Sequence, residues 1–288
     1  MRFGTRQQPT PAVVGDGGVP LRPAVVVTGA SEGIGLAIAR RFAAAGHTVA
    51  MIARRRAVLE AAATQLSRTS NVTAVALPLD VTGADAGTQI EAGLAQHGLY
   101  ADVLINNAGI GLGGSYAAQS ESDIAYLVDV NVRALSLLTR HFLPAMLERR
   151  RGGIINIASL GGFAPGPYQS AYYASKAYVI SLTRALANEV GGSGVHVCVV
   201  TPGPVNTAFH ARMGAGTSFY RYTIPALSAE AVARATWRGW RLGFRVIQPG
   251  LLTPVLSLLM RVTPWFLLVP ILGFLLHKRY QDSGSPKS

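Results

Sequence analysis

Residues 24–35 read Ala24-Val25-Val26-Val27-Thr28-Gly29-Ala30-Ser31-Glu32-Gly33-Ile34-Gly35, and this stretch decides the fold. The first five positions form an apolar run of strand length, and an alanine-rich segment of helical length follows and ends near Gly46. A glycine-rich turn between strand and helix has a physical use. Residues without Cβ let the chain turn tightly and bring backbone amides close to a pyrophosphate, whose charge is stabilised at the positive end of the helix. A plain tight turn is the alternative reading, and the residues downstream must decide.

Working outward, the same alternation recurs. Short β-branched runs at 24–28, 48–53, 72–79, 102–106, 153–158, 195–201 and 244–248 predict seven strands, with helical segments in the gaps. The first six are near-continuous apolar runs without polar alternation, as strands covered on both faces require. The pattern predicts an α/β fold: a Rossmann-type, doubly wound, mainly parallel seven-stranded sheet with helices on both faces and ligands beyond the carboxyl ends of the strands. Residues 1–23, with Pro9, Pro11, Pro20 and Pro23 and several glycines, read as a flexible extension without the apolar stretch of a secretory signal. Residues 24–250 form the single domain, and 251–288 a hydrophobic tail.

Composition narrows the function. Of 288 residues, 49% are hydrophobic and 14% charged, with 32 glycines, which excludes a disordered chain. The 26 basic and 14 acidic residues leave +12, a charge suited to nucleic acid, anionic lipid or an anionic cofactor. Nucleic acid is the weakest of these, because apart from Arg54-Arg55-Arg56 and Arg149-Arg150-Arg151 the basic residues are scattered and no stacking aromatics are interleaved. Cys198, the only cysteine, sits in an apolar run and reads as a core residue. No His or Cys pair has metal-ligand spacing, so no metal is expected. The six histidines share no pattern, and only His210, in the segment after Thr207, lies near the expected substrate lid.

One lysine stands out. Lys176 is the only lysine in the first 277 residues, and it follows Tyr172 by four positions in Tyr172-Tyr173-Ala174-Ser175-Lys176. On a helix this spacing puts phenol and ammonium one turn apart on the same face. A compact ammonium on a flexible stem is chemically distinct from the planar fork of the arginines used elsewhere.

The glycine spacing G-x-x-x-G-x-G resembles that of the classical short-chain dehydrogenase/reductase family, and further motifs of that family follow in order over residues 24–250. They are Asn106-Asn107-Ala108-Gly109 after strand four, Asn131 in the next helix, Ser159 ending strand five, Tyr172 and Lys176, and Pro202-Gly203-Pro204-Val205-Asn206-Thr207 after strand six. Ser159 precedes Tyr172 by 13 residues, the family's usual interval. The resemblance implies that Gly29, Ser31, Glu32, Gly33, Ile34 and Gly35 cradle a nicotinamide cofactor. It also implies that Asp80 and Val81 flank the adenine and that Asn107, Ala108 and Gly109 support the adenosine side. Pro202, Gly203, Val205 and Thr207 would lie at the nicotinamide end.

Cofactor choice rests on the end of strand two. Where an acid would bind the ribose hydroxyls of NAD, this chain has Ala53 followed by Arg54 and Arg55, whose guanidiniums suit the extra phosphate of NADP. NADP(H) is therefore expected over NAD, with Glu32 the contrary signal.

The expected reaction is hydride exchange between the cofactor and a ketone or secondary alcohol. Tyr172 is the expected general acid and base, and bringing its phenol from a pKa near 10 toward 7 requires about 4 kcal/mol of differential interaction, which Lys176 together with the positive nicotinamide of the oxidised cofactor is expected to supply. Ser159 would polarise the substrate oxygen. By resemblance, Lys176 also bonds the nicotinamide ribose and Asn131 holds a water of a proton relay. Phe209, Met213, Phe219, Tyr220, Tyr222 and Ile224 make the lid apolar and suggest a hydrophobic, lipid-like substrate.

Two rival readings remain open: a catalytically silent NADP-binding sensor, and a membrane-tethered interaction protein. The tail, from Leu251 to Leu276, has a single charge, Arg261, but contains Pro264, Pro270 and Gly273. That composition suits an interfacial segment better than a spanning helix, and suits a cover over the pocket or a subunit interface equally well. A cytoplasmic protein, peripheral to a membrane on the first of these readings, is expected. The resemblance implies a homodimer or homotetramer.

Overall fold

The computed structural model describes residues 13, 14, 18, 20–209, 213 and 225–277. Residues 1–12, His210, Phe219, Tyr220, Tyr222 and Ile224, on which parts of the extension and lid expectations rest, lie outside the described residues.

Seven strands form one sheet: β1 (Arg22–Thr28), β2 (Thr48–Ala53), β3 (Ala74–Pro78), β4 (Leu99–Asn106), β5 (Gly153–Ile157), β6 (His196–Val200) and β7 (Val246–Ile247). Every pairing is parallel, in the order β3-β2-β1-β4-β5-β6-β7. Continuous burial from Ala24 to Thr28 and along all of β5 explains the unbroken apolar runs, since helices cover both faces.

On one face lie α1 (Gly33–Ala43), α2 (Arg56–Ser70) and α7 (Ala229–Arg241). Ile38 and Phe42, then Leu59, Ala63 and Leu66, then Val232, Ala233 and Trp237 recur at helical spacing and pack on β1 and β2. Phe42 meets Trp237 edge-on, ring centres 4.8 Å apart. On the other face, α3 (Ala86–Gln96), α5 (Leu135–Glu148) and α6 (Ser170–Glu189) contribute Ile90 and Leu94, Leu138, Phe142 and Met146, and Ala187. A helix α4 (Glu121–Val128) runs into α5 through a widened π turn at Asp129–Ala134, where Asn131 sits.

Only β2 has the expected boundaries: β4 starts at Leu99 rather than at 102, and β5 and β6 are trimmed to Gly153–Ile157 and His196–Val200. β1 starts at Arg22, and the extension's end is tied to it, Leu21 N–H donating to Val13 O at 2.7 Å. β3 starts at Ala74, where Ser67 Oγ accepts from Ala74 N–H at 2.9 Å and stops the pairing. β7 is only two residues long. The tail forms two helices, α8 (Leu252–Val262) and α9 (Trp265–Leu276), and α9 packs Leu268, Leu272 and Leu276 against Ala164, Tyr173 and Met260. It is therefore joined to the domain that precedes it.

The chain leaves β1 toward β2 on one side and returns to β4 on the other. That reversal opens a crevice at the carboxyl ends of β1 and β4.

Candidate active site

The crevice is a cleft of about 1050 Å³. Its floor is the glycine turn, and two positions there cannot carry a side chain. A Cβ on Gly35 would run into the Gly29 carbonyl and the Asn107 amide, and one on Gly29, at φ +65°, would lie 2.9 Å from the Ala108 Cα. The turn is tied to the loop after β4. Asn107 Nδ2 donates to Thr28 O at 2.9 Å and Gly29 O at 3.2 Å, while the N–H groups of Asn107 and Ala108 both donate to Thr28 Oγ1 at 3.0 Å. The Thr28 and Asn107 side chains are thus taken up in tying the turn, and the turn's glycines leave bare backbone at the start of α1, a cradle that fits a pyrophosphate.

At one end of this cradle β2 delivers two exposed arginines. Arg55 Nη2 lies 2.9 Å from Glu32 Oε2 and donates to Ser31 Oγ at 3.4 Å. Arg54 Nη1 is 3.7 Å from Asp80 Oδ2 and donates to the Tyr126 hydroxyl, with its guanidinium 5.5 Å from the centre of that ring. Glu32 is the N-cap of α1 but makes no capping bond. Its carboxylate faces Arg55 instead, so the residue that spoke against NADP is the counter-ion of one that spoke for it. The arginines fit a phosphate, having donors to spare and only surface pairs to exchange.

At the other end the cleft is covered. Ser159 follows β5, accepts from Gly161 N–H at 3.1 Å, and hydrogen-bonds Tyr172. Tyr172 and Lys176 lie one turn apart on α6, as their spacing requires. Lys176 is 5% exposed, its Nζ donates to Ile157 O at 3.0 Å and lies 5.8 Å from the centre of the Tyr172 ring. Burial pushes Lys176 down to about 8. Burial also pushes the Tyr172 phenol up to about 12, the Ser159 hydrogen bond opposing it. The protein's own groups thus hold the phenol above its ordinary value, whereas the expected lowering joins Lys176 to the positive nicotinamide of the oxidised cofactor. The reason is geometric: the ammonium is bonded to Ile157 O and burial outweighs the other influences.

Asn131 is braced on all sides. Its Nδ2 donates to Ile110 O at 2.8 Å and Ser175 Oγ at 3.0 Å, and its Oδ1 accepts from Ile110 N–H at 2.9 Å. The side chain that the family resemblance assigned to a water relay therefore joins the loop after β4 to α6. Gly109 is the gap through which this brace and the ammonium approach, since a Cβ there would be 3.3 Å from Asn131 Oδ1 and 3.4 Å from Lys176 Nζ.

Of the residues expected from sequence, Gly29, Ser31, Glu32, Gly33, Ile34, Arg54, Arg55, Asp80, Val81, Asn107, Ala108, Gly109, Ser159, Tyr172, Lys176, Pro202, Gly203, Val205 and Thr207 all line this cleft. Gly35 and Asn131 stand behind it. Sequence reading missed Tyr126, Gln169, and the tail's Met260, Leu272, Leu275 and Leu276, which also line it. Tyr126 meets an arginine 72 positions away, a pairing for which local sequence has no signal. The tail's leucines were visible, but their direction was not. Phe209 stacks at a tilt on Tyr172, ring centres 5.6 Å apart, and Met213 is buried, as an apolar lid requires.

Comparison with known proteins agrees with this geometry. The family described as short chain dehydrogenase matches residues 23–217. A short chain dehydrogenase of Pseudocercospora fijiensis is 39% identical over 188 residues, which cover 63% of this chain but only 59% of that relative's length. An NADP-dependent 3-hydroxy acid dehydrogenase of Escherichia coli is 34% identical over 220 residues, covering 74% of this chain and 87% of the relative. Among solved structures, a short-chain dehydrogenase from Sphingobium yanoikuyae in complex with NADPH is 32% identical, with a TM-score of 0.73 over 84% of this chain and 96% of that one.

Proposed function

As this chain belongs to the short chain dehydrogenase family, we propose that it is an NADP(H)-dependent oxidoreductase interconverting a hydrophobic ketone and a secondary alcohol. The reading is carried by one observation: Ser159, Tyr172 and Lys176 converge at the covered end of the cleft whose open end holds Arg54 and Arg55. The bare turn from Gly29 to Gly35 would hold the pyrophosphate, and Arg54 and Arg55 the ribose phosphate that distinguishes NADP. When bound, the nicotinamide gives or takes the hydride.

The chain's own residues manage the oxygen. In reduction, the Tyr172 hydroxyl proton passes to the substrate oxygen as charge develops there, and in oxidation the phenolate takes it back. A phenol held near 12 keeps its proton through neutrality, which suits the donor role in reduction. Ser159, within hydrogen-bond reach of Tyr172, holds the same oxygen in line. Lys176, whose value burial lowers to about 8, still carries its proton at neutral pH and so offsets the charge left on Tyr172.

Apolar walls support the substrate class. Leu160, Tyr173, Phe209, Met213 and Leu272 border the space in front of Tyr172. Assembly through α4, α5 and α6 belongs to the same proposal, supported by the exposed Val128, Leu137 and Tyr178 on these helices, and size measurement by light scattering tests it.

The test of the activity is Tyr172→Phe, assayed for NADPH consumption with ketones of graded chain length. Turnover should fall by about three orders of magnitude, in the range for loss of a positioned acid, while NADPH affinity changes less than about twofold. Unchanged turnover in the variant overturns the reading.

A further inference from the structure

Helix α8 is built inside out. It buries Thr253 and Ser257, at 5% and 3% exposure, against the protein. Their hydroxyls bond Pro249 O and Pro254 O, and Gln248 Nε2 donates to Ser257 Oγ at 2.7 Å. Its leucines and valines point the other way: Leu252, Val255, Leu258, Leu259 and Val262 are all exposed. A surface helix ordinarily turns its apolar stripe to the core, so this one is patterned for an apolar medium outside the molecule. The neighbouring α9 continues the face. Leu268, Leu272 and Leu276 turn inward, while Leu267, Ile271 and Phe274 face out, and its first turn exposes Trp265 at 72% and Phe266 at 76%.

Charge identifies the medium. From residue 251 to residue 281, the stretch that contains both helices, the chain has no Asp or Glu, but it has Arg261, Lys278 and Arg279. Arg261, at the end of α8, lies over the Phe163 ring and close enough to Arg184 for the two positive charges to repel. A second copy on this face would bring two such acid-free segments together, in chains of +12 each. An anionic surface neutralises them instead. The helices are too short to cross a bilayer, and among the described residues no helix is long and apolar enough to do so. Pro264 and Pro270 break the run further.

We propose that the outer face of α8 and α9 docks in one leaflet of an anionic membrane, and that the same two helices open the cleft to that leaflet. Met260, Leu272, Leu275 and Leu276 wall the cleft from the opposite side of the hairpin. A substrate dissolved in the leaflet therefore meets the cleft's own wall without passing through bulk water. This second clause rests on the oxidoreductase reading above, whereas the docking does not.

The experiment uses the full chain with vesicles of pure phosphatidylcholine or of phosphatidylcholine with phosphatidylglycerol. We expect sedimentation with the anionic vesicles, at least tenfold weaker on the neutral ones or in high salt, and a blue shift in the emission of the exposed Trp265. The triple variant Leu258→Ser, Phe266→Ser, Ile271→Ser changes only exposed positions outside the cleft. It should lose at least tenfold in vesicle binding, and at least fivefold in turnover of a long-chain ketone held in vesicles, with turnover of a short water-soluble ketone unchanged. Failure of the full chain to sediment with either vesicle overturns the docking, as does a stable dimer that the triple variant dissociates. Equal loss on both ketones overturns entry from the leaflet. Vesicle binding without turnover of any ketone supports the docking and counts against the activity.

Discussion

The two ends of the cleft handle positive charge in opposite ways. At the β2 end, Arg54 and Arg55 are exposed, and each faces a carboxylate, Asp80 or Glu32. At the α6 end, Lys176 is buried, and its Nζ donates to the neutral Ile157 carbonyl. Water and counter-ions keep the first end charged at little cost, so it can bind a phosphate by exchanging one surface partner for another. At the second end burial takes the cation away from bulk solvent, and its value falls from 10.5 to about 8. One end is built to hold charge, the other to let it change.

The sharpest way to break this comparison is to move the arginine solution to the lysine's place. Lys176→Arg keeps a cation, but it puts a planar fork where a compact ammonium is buried and donates to Ile157 O at 3.0 Å. Turnover should fall about a hundredfold while the fold survives, checked by kinetics and thermal melting. Full activity would show that charge alone matters there.

A smaller effect should appear in stability. Lys176 has a folded value of about 8 against an ordinary 10.5, so the unfolded chain holds the proton more tightly. Burying the charged form costs stability below pH 8, and that cost is relieved as pH rises from about 8 toward 10.5. Tyr172 works the other way, but only above its ordinary value of 10.0, as pH climbs toward about 12. The buried Cys198 thiol, raised above its ordinary 9.0, also opposes the lysine near the top of the range from about pH 7.5 to 9.5, but the variant shares it. Over that range denaturant unfolding should therefore show the native chain gaining about 2 kcal/mol relative to Lys176→Met. Parallel profiles for the two proteins would remove the claim that burial holds this lysine.

The gentlest test lies at the exposed end. Arg55→Ala should weaken NADPH binding about fivefold with little change for NADH, roughly 1 kcal/mol, as expected of a solvent-screened contact. Glu32→Gln should act in the opposite direction, tightening NADPH about twofold by removing the competing carboxylate, which titration by fluorescence can resolve. Identical behaviour of NADPH and NADH in both variants would detach these residues from the phosphate.

Most of the first six strands, the glycine turn and the spacing of Tyr172 and Lys176 could be read from the chain, because they depend on local rules. Buried parallel strands need continuous apolar runs, and a bare turn needs glycines at fixed spacing. What escaped reading depends on contacts between distant residues. The π turn around Asn131 leaves the apolar pattern of α4 and α5 undisturbed, so nothing marks it in advance. A spacing of four shows that Lys176 is near Tyr172, but not that its ammonium donates to Ile157 O or that burial acts on both groups. In α8 the apolar composition was plain, yet only the burial of Thr253 and Ser257 reveals which way the leucines face.

The ties between Thr28 and Asn107 also bear on how this molecule comes into being. Their partners are 79 positions apart, joined by hydrogen bonds that close only when β4 has docked beside β1. A ribosome adding 5–20 residues per second emits Thr28 roughly 4–16 s before Asn107, so for that interval the glycine turn exists without the loop that shapes it. Cofactor affinity should therefore arise late and abruptly during synthesis, after β2 and β3 have already emerged, making nucleotide binding a clock for the closing of the sheet's centre.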